Sequence, residues 1–171
     1  MDLPSTRLSR IVDPALSRIA QGVSVIWVIL MAVIVINVLS RYLFDQGRIE
    51  FEELQWHLYS MGFMLTIGYA LVVDAHIRVD VFHERLSPRA RLWIDFYGLL
   101  LFVVPFCLVM LWYGWDFFIY SFNIGEISAS PGGLPFRWFI KSFLVIGFAL
   151  LLLAALSRLS RLYAGLFARG T

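Results

Sequence analysis

The stretch Ile19–Ser40 reads IAQGVSVIWVILMAVIVINVLS, 22 consecutive residues without an acidic or basic side chain. An α-helix rises about 1.5 Å per residue, so this length crosses the roughly 30 Å of hydrocarbon in a bilayer. Inside lipid, backbone amides must be paired within the segment itself, which a helix achieves. The stretch is longer than the apolar region of a signal peptide, and no small-residue cleavage site follows it. It therefore predicts a retained membrane-spanning helix.

Three more apolar stretches of similar length follow, over residues 54–73, 96–115 and 138–157, and only Lys141 interrupts them. The chain is 60% hydrophobic and 15% charged, whereas soluble domains are about 45–50% apolar and roughly 25% charged. A core of this size cannot hide the surplus, so much of it must face lipid. The sequence predicts an all-α integral membrane protein, with residues 1–171 forming one domain of four transmembrane helices.

Prolines indicate where the helices begin. Two dipeptides combine a capping side chain with proline at the first helical position, Asp13-Pro14 and Ser87-Pro88. Pro135 is expected to open the fourth helix in a similar way, after the turn-forming Pro131-Gly132-Gly133. Pro105 lies in the middle of the third stretch, where we expect a kink.

Residues 1–18 precede the first span and mix apolar side chains at helical spacing with arginines. The apolar set, with Ile19 just beyond, is Leu8, Ile11, Val12, Ala15, Leu16 and Ile19, and the arginines are Arg7, Arg10 and Arg18. This pattern predicts a cytoplasmic amphipathic N-terminal arm that lies on an anionic leaflet. The alternative is a partly ordered tail, because Pro14 interrupts any single helix.

Lysine and arginine are distributed unevenly between the two sides of the predicted bundle. Ten lie on the side of both termini and the loop between the second and third spans, and four lie on the opposite side. Because cytoplasmic loops carry the excess of positive charge, we expect both termini in the cytoplasm. An outer aromatic belt is expected at Tyr42, Trp56, Trp112, Trp115 and Trp138. Trp27, deep in the first span, does not fit this belt.

The predicted membrane interior is almost free of ionisable side chains. His57 and Lys141 lie near span ends, from which both can reach an interface. Intramembrane charges usually mark transport or proton paths, and interrupted half-helices often form transporter sites. The chain lacks both features, so we do not expect it to move a charged solute alone. A net charge of +2 also gives no indication of nucleic-acid binding.

The histidines and the cysteine disfavour catalytic, cofactor and metal sites on this chain. Only His57 lies within a span, whereas a membrane haem would need two facing histidines. His76, Asp80 and His83 are spaced like metal ligands, but neighbouring arginines repel a cation, and a solvated loop is the simpler interpretation. Cys107, the single cysteine, is expected to be a small buried hydrophobic residue. We expect no enzymatic activity.

Several segments together resemble a known family. They are Asn37–Phe44 (NVLSRYLF), Glu52–His57 (EELQWH), Asp74–Phe82 (DAHIRVDVF) with Leu86–Arg89 (LSPR), and Gly125-Glu126 with Pro131–Trp138 (PGGLPFRW). These segments are similar to the small membrane subunit, of the DctQ type, of tripartite ATP-independent periplasmic (TRAP) transporters. The resemblance covers about residues 37–141, and the loop with His76, Arg78 and Asp80 is its most specific part.

The resemblance implies a three-protein uptake system in the bacterial inner membrane. A periplasmic binding protein captures an organic anion, of the 2-oxo acid, lactate or dicarboxylate type. A large multi-span permease subunit carries the anion inward with sodium, which is expected on that subunit and not on this chain. The small subunit is then a non-catalytic scaffold that braces the large subunit and helps to dock the binding protein.

Partner contact is the role that the resemblance implies for a set of charged residues, Arg41, Glu52, Glu53, His76, Arg78, Asp80 and Arg137. Arg41, Glu52 and Glu53 are expected to form a polar cluster at the outer end of the first two helices. Ordinary interfacial charges explain these three almost as well, since exposed ion pairs contribute little. For the loop residues the alternative is simple solvation. Gly62 and Gly68 are candidates for close helix contact.

Two other functions are compatible with the same span pattern. One is a membrane-anchor subunit of a respiratory enzyme that binds quinone or haem, which a Soret band in the purified protein would indicate. The other is a small homo-oligomeric exporter, which transport by this chain alone in proteoliposomes would indicate.

Overall fold

The computed structural model describes residues 3–45, 47–75 and 86–167, and within these ranges every regular element is helical. Four helices follow one another along the chain: α1 (Ser9–Phe44), α2 (Ile49–Val72), α3 (Pro88–Asn123) and α4 (Arg137–Phe167). Helix α3 consists of an α-helical part (Pro88–Gly98), one π-helical turn (Leu99–Val103) and a second α-helical part (Val104–Asn123). The predicted all-α class is confirmed.

Helix α4 is the centre of the bundle. It packs against α2 on one side and α3 on the other, while α1 packs mainly against α2. The largest group of buried apolar residues accordingly contains six from α4: Phe148, Leu151, Ala154, Ala155, Leu159 and Leu162. Cys107 of α3 belongs to the same group and is fully buried, as expected for a small hydrophobic residue.

Three of the four predicted spans lie in helices that are long and apolar enough to cross a membrane: Ser9–Phe44, Pro88–Asn123 and Arg137–Phe167. The remaining predicted span, residues 54–73, is the second along the chain and lies in α2, which has 24 residues. Its first half carries Glu52, Glu53 and His57, and these polar residues lower its hydropathy. At about 1.5 Å per residue, α2 still reaches roughly 36 Å.

The start of α1 corrects one sequence prediction. Thr6 and Ser9 cap this helix reciprocally: the Ser9 amide donates to Thr6 Oγ1 at 3.2 Å, and the Thr6 amide donates to Ser9 Oγ at 2.9 Å. The helix then runs without a break through Pro14, so the predicted start at Asp13-Pro14 is wrong. Residues 9–18 of the predicted arm are continuous with the first span and do not form a separate segment.

Of the other proline predictions, the one at Ser87-Pro88 is confirmed, whereas the one at Pro135 is wrong, because α4 begins at Arg137 and the intervening Phe136 has a left-handed backbone at φ +62°. Ser87 caps α3 by accepting a hydrogen bond from the Ala90 amide, and Pro88 occupies the first turn, as predicted. Before Pro105, α3 widens into the π-helical turn Leu99–Val103. Proline cannot donate to the preceding turn and its ring crowds the carbonyl there, so a wider turn relieves the conflict.

Glycine allows α2 and α4 to touch backbone to backbone. A Cβ on Gly68 of α2 would lie 2.8 Å from the Leu150 carbonyl oxygen, and a Cβ on Gly147 of α4 would lie 2.8 Å from Met64. The close contact expected at Gly68 is therefore present. Gly62 makes room instead for Trp27, whose ring would lie 3.0 Å from a Cβ there. This packing explains why Trp27 lies deep in α1 and away from the aromatic belt.

Candidate functional site

Arg41 and Glu52 join the outer ends of α1 and α2. Arg41 Nη2 lies 2.6 Å from Glu52 Oε1, and both side chains are about half exposed. This pair spans the short connection between the two helices, where Gly47 lies beside the Arg41 guanidinium. An exposed pair of this kind adds little stability. Because both side chains are exposed, their charged groups are accessible to a partner.

Glu53 has a different set of partners from its neighbour. One of its carboxylate oxygens accepts a hydrogen bond from Ser128 Oγ, and the other accepts one from the Leu134 amide at 2.6 Å. Both donors belong to the segment 124–136 between α3 and α4, which we call the outer loop. Adjacent helix positions point about 100° apart, so Glu52 faces α1 while Glu53 holds the outer loop.

The glycines of the outer loop make this contact possible. Gly132 has φ +79°, a conformation that other residues rarely adopt. Gly133 lies against Ser128 and Glu53, where a Cβ would clash with both side chains. The loop is closed further by hydrogen bonds from the Ser128 amide to the Leu134 carbonyl (3.3 Å) and from the Arg137 amide to the Glu126 carbonyl (3.0 Å).

The electrostatics of the outer loop favour ionised carboxylates. The hydrogen bond from Ser128, then that from the Leu134 amide, hold the pKa of Glu53 below its ordinary value of 4.5, and the charge of Arg137 acts in the same direction. Glu126 is paired with Lys141, chiefly through a hydrogen bond that also lowers the pKa of Glu126. The Lys141 ammonium lies 3.8 Å from the centre of the Phe117 ring.

A second polar cluster lies at the opposite end of the bundle, around Arg158 of α4. Its guanidinium donates to the Leu71 carbonyl at 3.0 Å and lies 2.8 Å from Asp74 and 3.5 Å from Asp95. Arg158 itself is only 9% exposed. This one side chain therefore links α4 with the end of α2 and with the first part of α3.

Asp13 extends this cluster to α1. Its carboxylate accepts a hydrogen bond from Ser157 Oγ at 2.6 Å and pairs with Arg161 at 3.3 Å. Nearby, the hydroxyl groups of Thr6 and Ser160 share a hydrogen bond of 2.7 Å. The predicted helix cap at Asp13 is thus in fact a cross-link between the first and last helices.

The structure separates the predicted site residues into three groups. Arg41 and Glu52 form the expected pair, Glu53 and Arg137 lie together at the outer loop, and His76, Arg78 and Asp80 lie outside the described residues. Sequence reasoning missed a further set of connecting residues, Asp13, Asp74, Asp95, Ser128, Arg158 and Arg161. Their recurrence at helix ends was a signal, but it did not identify their partners.

The described ranges were also compared with the requirements of a metal site. Within them, no three histidine, cysteine or acidic side chains lie close enough together to hold a metal ion. His57 Nδ1 lies 2.6 Å from the Glu53 carbonyl oxygen of its own helix. Chemically, the two ends can therefore hold helices in place and present charge to a partner.

Helices with large exposed apolar surfaces around a central α4, joined by ionic clusters at both ends, define a helical membrane protein. A family model described as "Tripartite ATP-independent periplasmic transporters, DctQ component" matches residues 30–165. The chain belongs to this family, as the sequence resemblance indicated. A search of curated proteins found no match. Asp13 precedes the matched residues, so the family match does not include its link to α4.

Proposed function

We propose that this chain is the small scaffold subunit of a sodium-coupled TRAP transporter that takes up organic anions. In this role it braces the large permease subunit and helps to dock the periplasmic binding protein. The sodium ion and the transported anion bind to those partners. The substrate class, of the 2-oxo acid, lactate or dicarboxylate type, is part of the same proposal.

The observation that carries the proposal is where the described ion pairs lie. They lie at the two ends of the bundle, where Arg41, Glu53 and Lys141 act at one end and Asp13 and Arg158 at the other. There they connect helices of this chain to one another. Fixed ends suit a scaffold, whereas ionisable groups within the bundle are what usually marks an ion or proton path.

We further propose four spans, including α2, with both termini in the cytoplasm of a bacterium and the chain in its inner membrane. Support comes from the contacts that join successive helices at alternate ends. The beginning of α2 and the outer loop meet through Glu53, while the pairs Asp13–Ser157 and Asp74–Arg158 lie at the other end. This alternation agrees with the ten-to-four distribution of basic residues.

Reconstitution tests the scaffold role. Proteoliposomes containing this chain, the large subunit and the binding protein should take up a radiolabelled organic acid when a sodium gradient is applied. Vesicles containing this chain alone should not. Sodium-driven uptake by this chain alone would refute the proposal, and a complete system that works equally well without this chain would refute it too.

Co-purification tests the residues proposed to contact the partner. Arg78→Ala combined with Asp80→Ala should reduce recovery of the large subunit with this chain, and Arg41→Ala with Glu52→Ala should do so to a smaller extent. The matched control is Arg10→Ala, an exposed arginine on α1. Unchanged recovery of the Arg78 and Asp80 double variant would reject an assembly role for that loop.

A further inference from the structure

Arg18 lies on the side of α1 that turns away from the bundle. Leu16 and Ala20 of the same helix are buried, and Leu16 packs into the apolar group around α4. Arg18 is two positions from each of them, about 200° around the helix, and it is exposed. Among the described residues, no hydrogen bond or ion pair uses its guanidinium. Its charge therefore faces the surroundings of the bundle.

The position of Arg18 along α1 corresponds to the headgroup layer of a bilayer. Arg41, near the other end of the helix, is 23 positions away, or about 35 Å. A bilayer has about 30 Å of hydrocarbon within a total of roughly 40–45 Å, so Arg18 and Arg41 fall in opposite headgroup layers. Arg10 is 31 positions from Arg41, about 47 Å, and lies beyond that layer in water. Arg18 is thus at the level of lipid phosphates.

The charge on this side of α1 favours an anion. Asp13 is the one acidic residue of α1, and its carboxylate is engaged with Ser157 and Arg161 of α4. It lies five positions from Arg18, about 140° around the helix. A guanidinium pairs well with phosphate. A zwitterionic headgroup adds an ammonium that finds no carboxylate of α1 on this side, so an anionic headgroup is preferred.

The side chains that follow Arg18 have the order of the parts of a phospholipid. Gln21, one turn farther into the membrane, is exposed, and its amide can donate a hydrogen bond to an ester carbonyl. Val25 and Ile29 follow on the same side of the helix and are 58% and 46% exposed. From the headgroup layer inward, α1 therefore presents a cation, an amide donor and an apolar strip.

We propose that α1 binds phosphatidylglycerol on the side away from α2 and α4. The lipid phosphate pairs with Arg18, an ester carbonyl accepts from Gln21, and an acyl chain lies along Val25 and Ile29. The single negative charge of this headgroup compensates the guanidinium. The site requires α1 to cross the membrane, and it does not depend on the proposed transport role.

Native mass spectrometry of the full chain in mild detergent tests the site with phosphatidylglycerol and phosphatidylethanolamine of identical acyl chains. The unmodified chain should retain phosphatidylglycerol in preference. Arg18→Gln should lower binding of phosphatidylglycerol roughly fivefold, as for one arginine at an anionic surface, and should remove most of the preference between the two lipids. Arg18→Lys keeps the charge and should retain most of the binding.

The matched control is Arg10→Gln, which removes the same charge from the same helix but outside the headgroup layer. It should leave the binding of both lipids unchanged. Gln21→Leu should weaken both lipids equally, because both carry ester carbonyls. The site would be wrong if Arg18→Gln bound phosphatidylglycerol as before. It would also be wrong if Arg10→Gln lowered binding by the same factor, which would indicate diffuse attraction to the basic end of α1.

The depth of Arg18 is measured separately in vesicles. The native Cys107 is buried, so a fluorophore can be attached selectively to Arg18→Cys or to Arg10→Cys. Lipids with a nitroxide on the headgroup should quench the first strongly and the second much less, and equal quenching would contradict the assigned depth. If Arg18→Gln lowered recovery of the large subunit and the unmodified complex bound no phosphatidylglycerol, Arg18 would pair with that protein and the lipid site would be wrong.

Discussion

Arg158 Nη2 lies 2.8 Å from Asp74 Oδ1, and this contact ties the last helix to the residues that directly follow α2. The guanidinium also caps α2 through the Leu71 carbonyl, one of the helix-end carbonyls that lack a partner within the helix. One side chain thus compensates both a carboxylate and a helix terminus.

Replacing Arg158 with Met should destabilise the bundle strongly. The substitution keeps most of the side-chain volume but leaves Asp74 and Asp95 without their guanidinium. Breaking a buried pair costs roughly 3–5 kcal/mol, and we expect the lower end because Asp74 is half exposed. Thermal unfolding in detergent measures the change, with exposed Arg10→Met as the control. Equal melting temperatures for the two variants would show that Arg158 does not hold these helices together.

Gly147→Ala should loosen the contact between α2 and α4. Its Cβ would lie 2.8 Å from both the Met64 side chain and the Met64 carbonyl, and backbone cannot yield as a flexible side chain can. Overpacking of this kind costs about 1–3 kcal/mol. Gly22→Ala, in open space on α1, should be neutral or stabilising. A melting temperature for Gly147→Ala at or above that of Gly22→Ala would argue against close packing at this position.

Glu53→Ala should release the outer loop. It removes the acceptor for both the Ser128 hydroxyl and the Leu134 amide. Amide hydrogen exchange of residues 124–136 should become roughly tenfold faster, as expected for losing a hydrogen bond to a charged group. Glu50→Ala, an exposed glutamate one turn earlier on the same helix, is the control. If both variants exchange alike, Glu53 does not hold the loop.

Acid should release the same loop. The folded-state pKa of Glu53 and that of Glu126 both lie below the ordinary value of 4.5. A lowered folded pKa gives stability that is fully present above pH 4.5 and is lost as pH falls through the folded value. Amide hydrogen exchange of residues 124–136 measures this loss, after correction for the intrinsic exchange rate at each pH. Loop protection that increases as pH falls below 4.5 would contradict the assigned hydrogen bonds.

Reporter fusions should place the C-terminus and the outer loop on opposite faces of the membrane. An alkaline phosphatase fusion between residues 123 and 130 should be active, and one after Thr171 should be inactive. A fluorescent protein that folds only in the cytoplasm should give the reverse pattern. Because α4 alone separates the two positions, the same face for both would mean that α4 does not cross the bilayer.

Local sequence patterns predicted the helices because each pattern lies within one element. The apolar stretches predicted where the helices lie, and Ser87-Pro88 predicted where α3 begins. Gly68 predicted a close contact between helices, which is the contact between α2 and α4. The prediction at Asp13-Pro14 was wrong because a better cap, Thr6 with Ser9, lies about two turns earlier. Pro14 lies in the interior of α1, where it removes one amide donor from the helix without ending it.

The connections at the two ends could not be predicted in the same way. Asp13 and Arg161 are 148 positions apart, and no periodicity within α1 or α4 identifies one as the partner of the other. Glu53 and the Leu134 amide are 81 positions apart, and one partner is a backbone group that every residue carries. The sequence showed charge at helix ends, whereas the pairing required the three-dimensional arrangement of all four helices.

Helix α2 is clamped at both extremities, by Glu53 to the outer loop and by the Leu71 carbonyl to Arg158. A helix held at both ends resists tilting and sliding more than a helix held at one end. A displacement of the outer loop would therefore have to shift α2 and, through the Leu71 carbonyl, Arg158 of α4 as well.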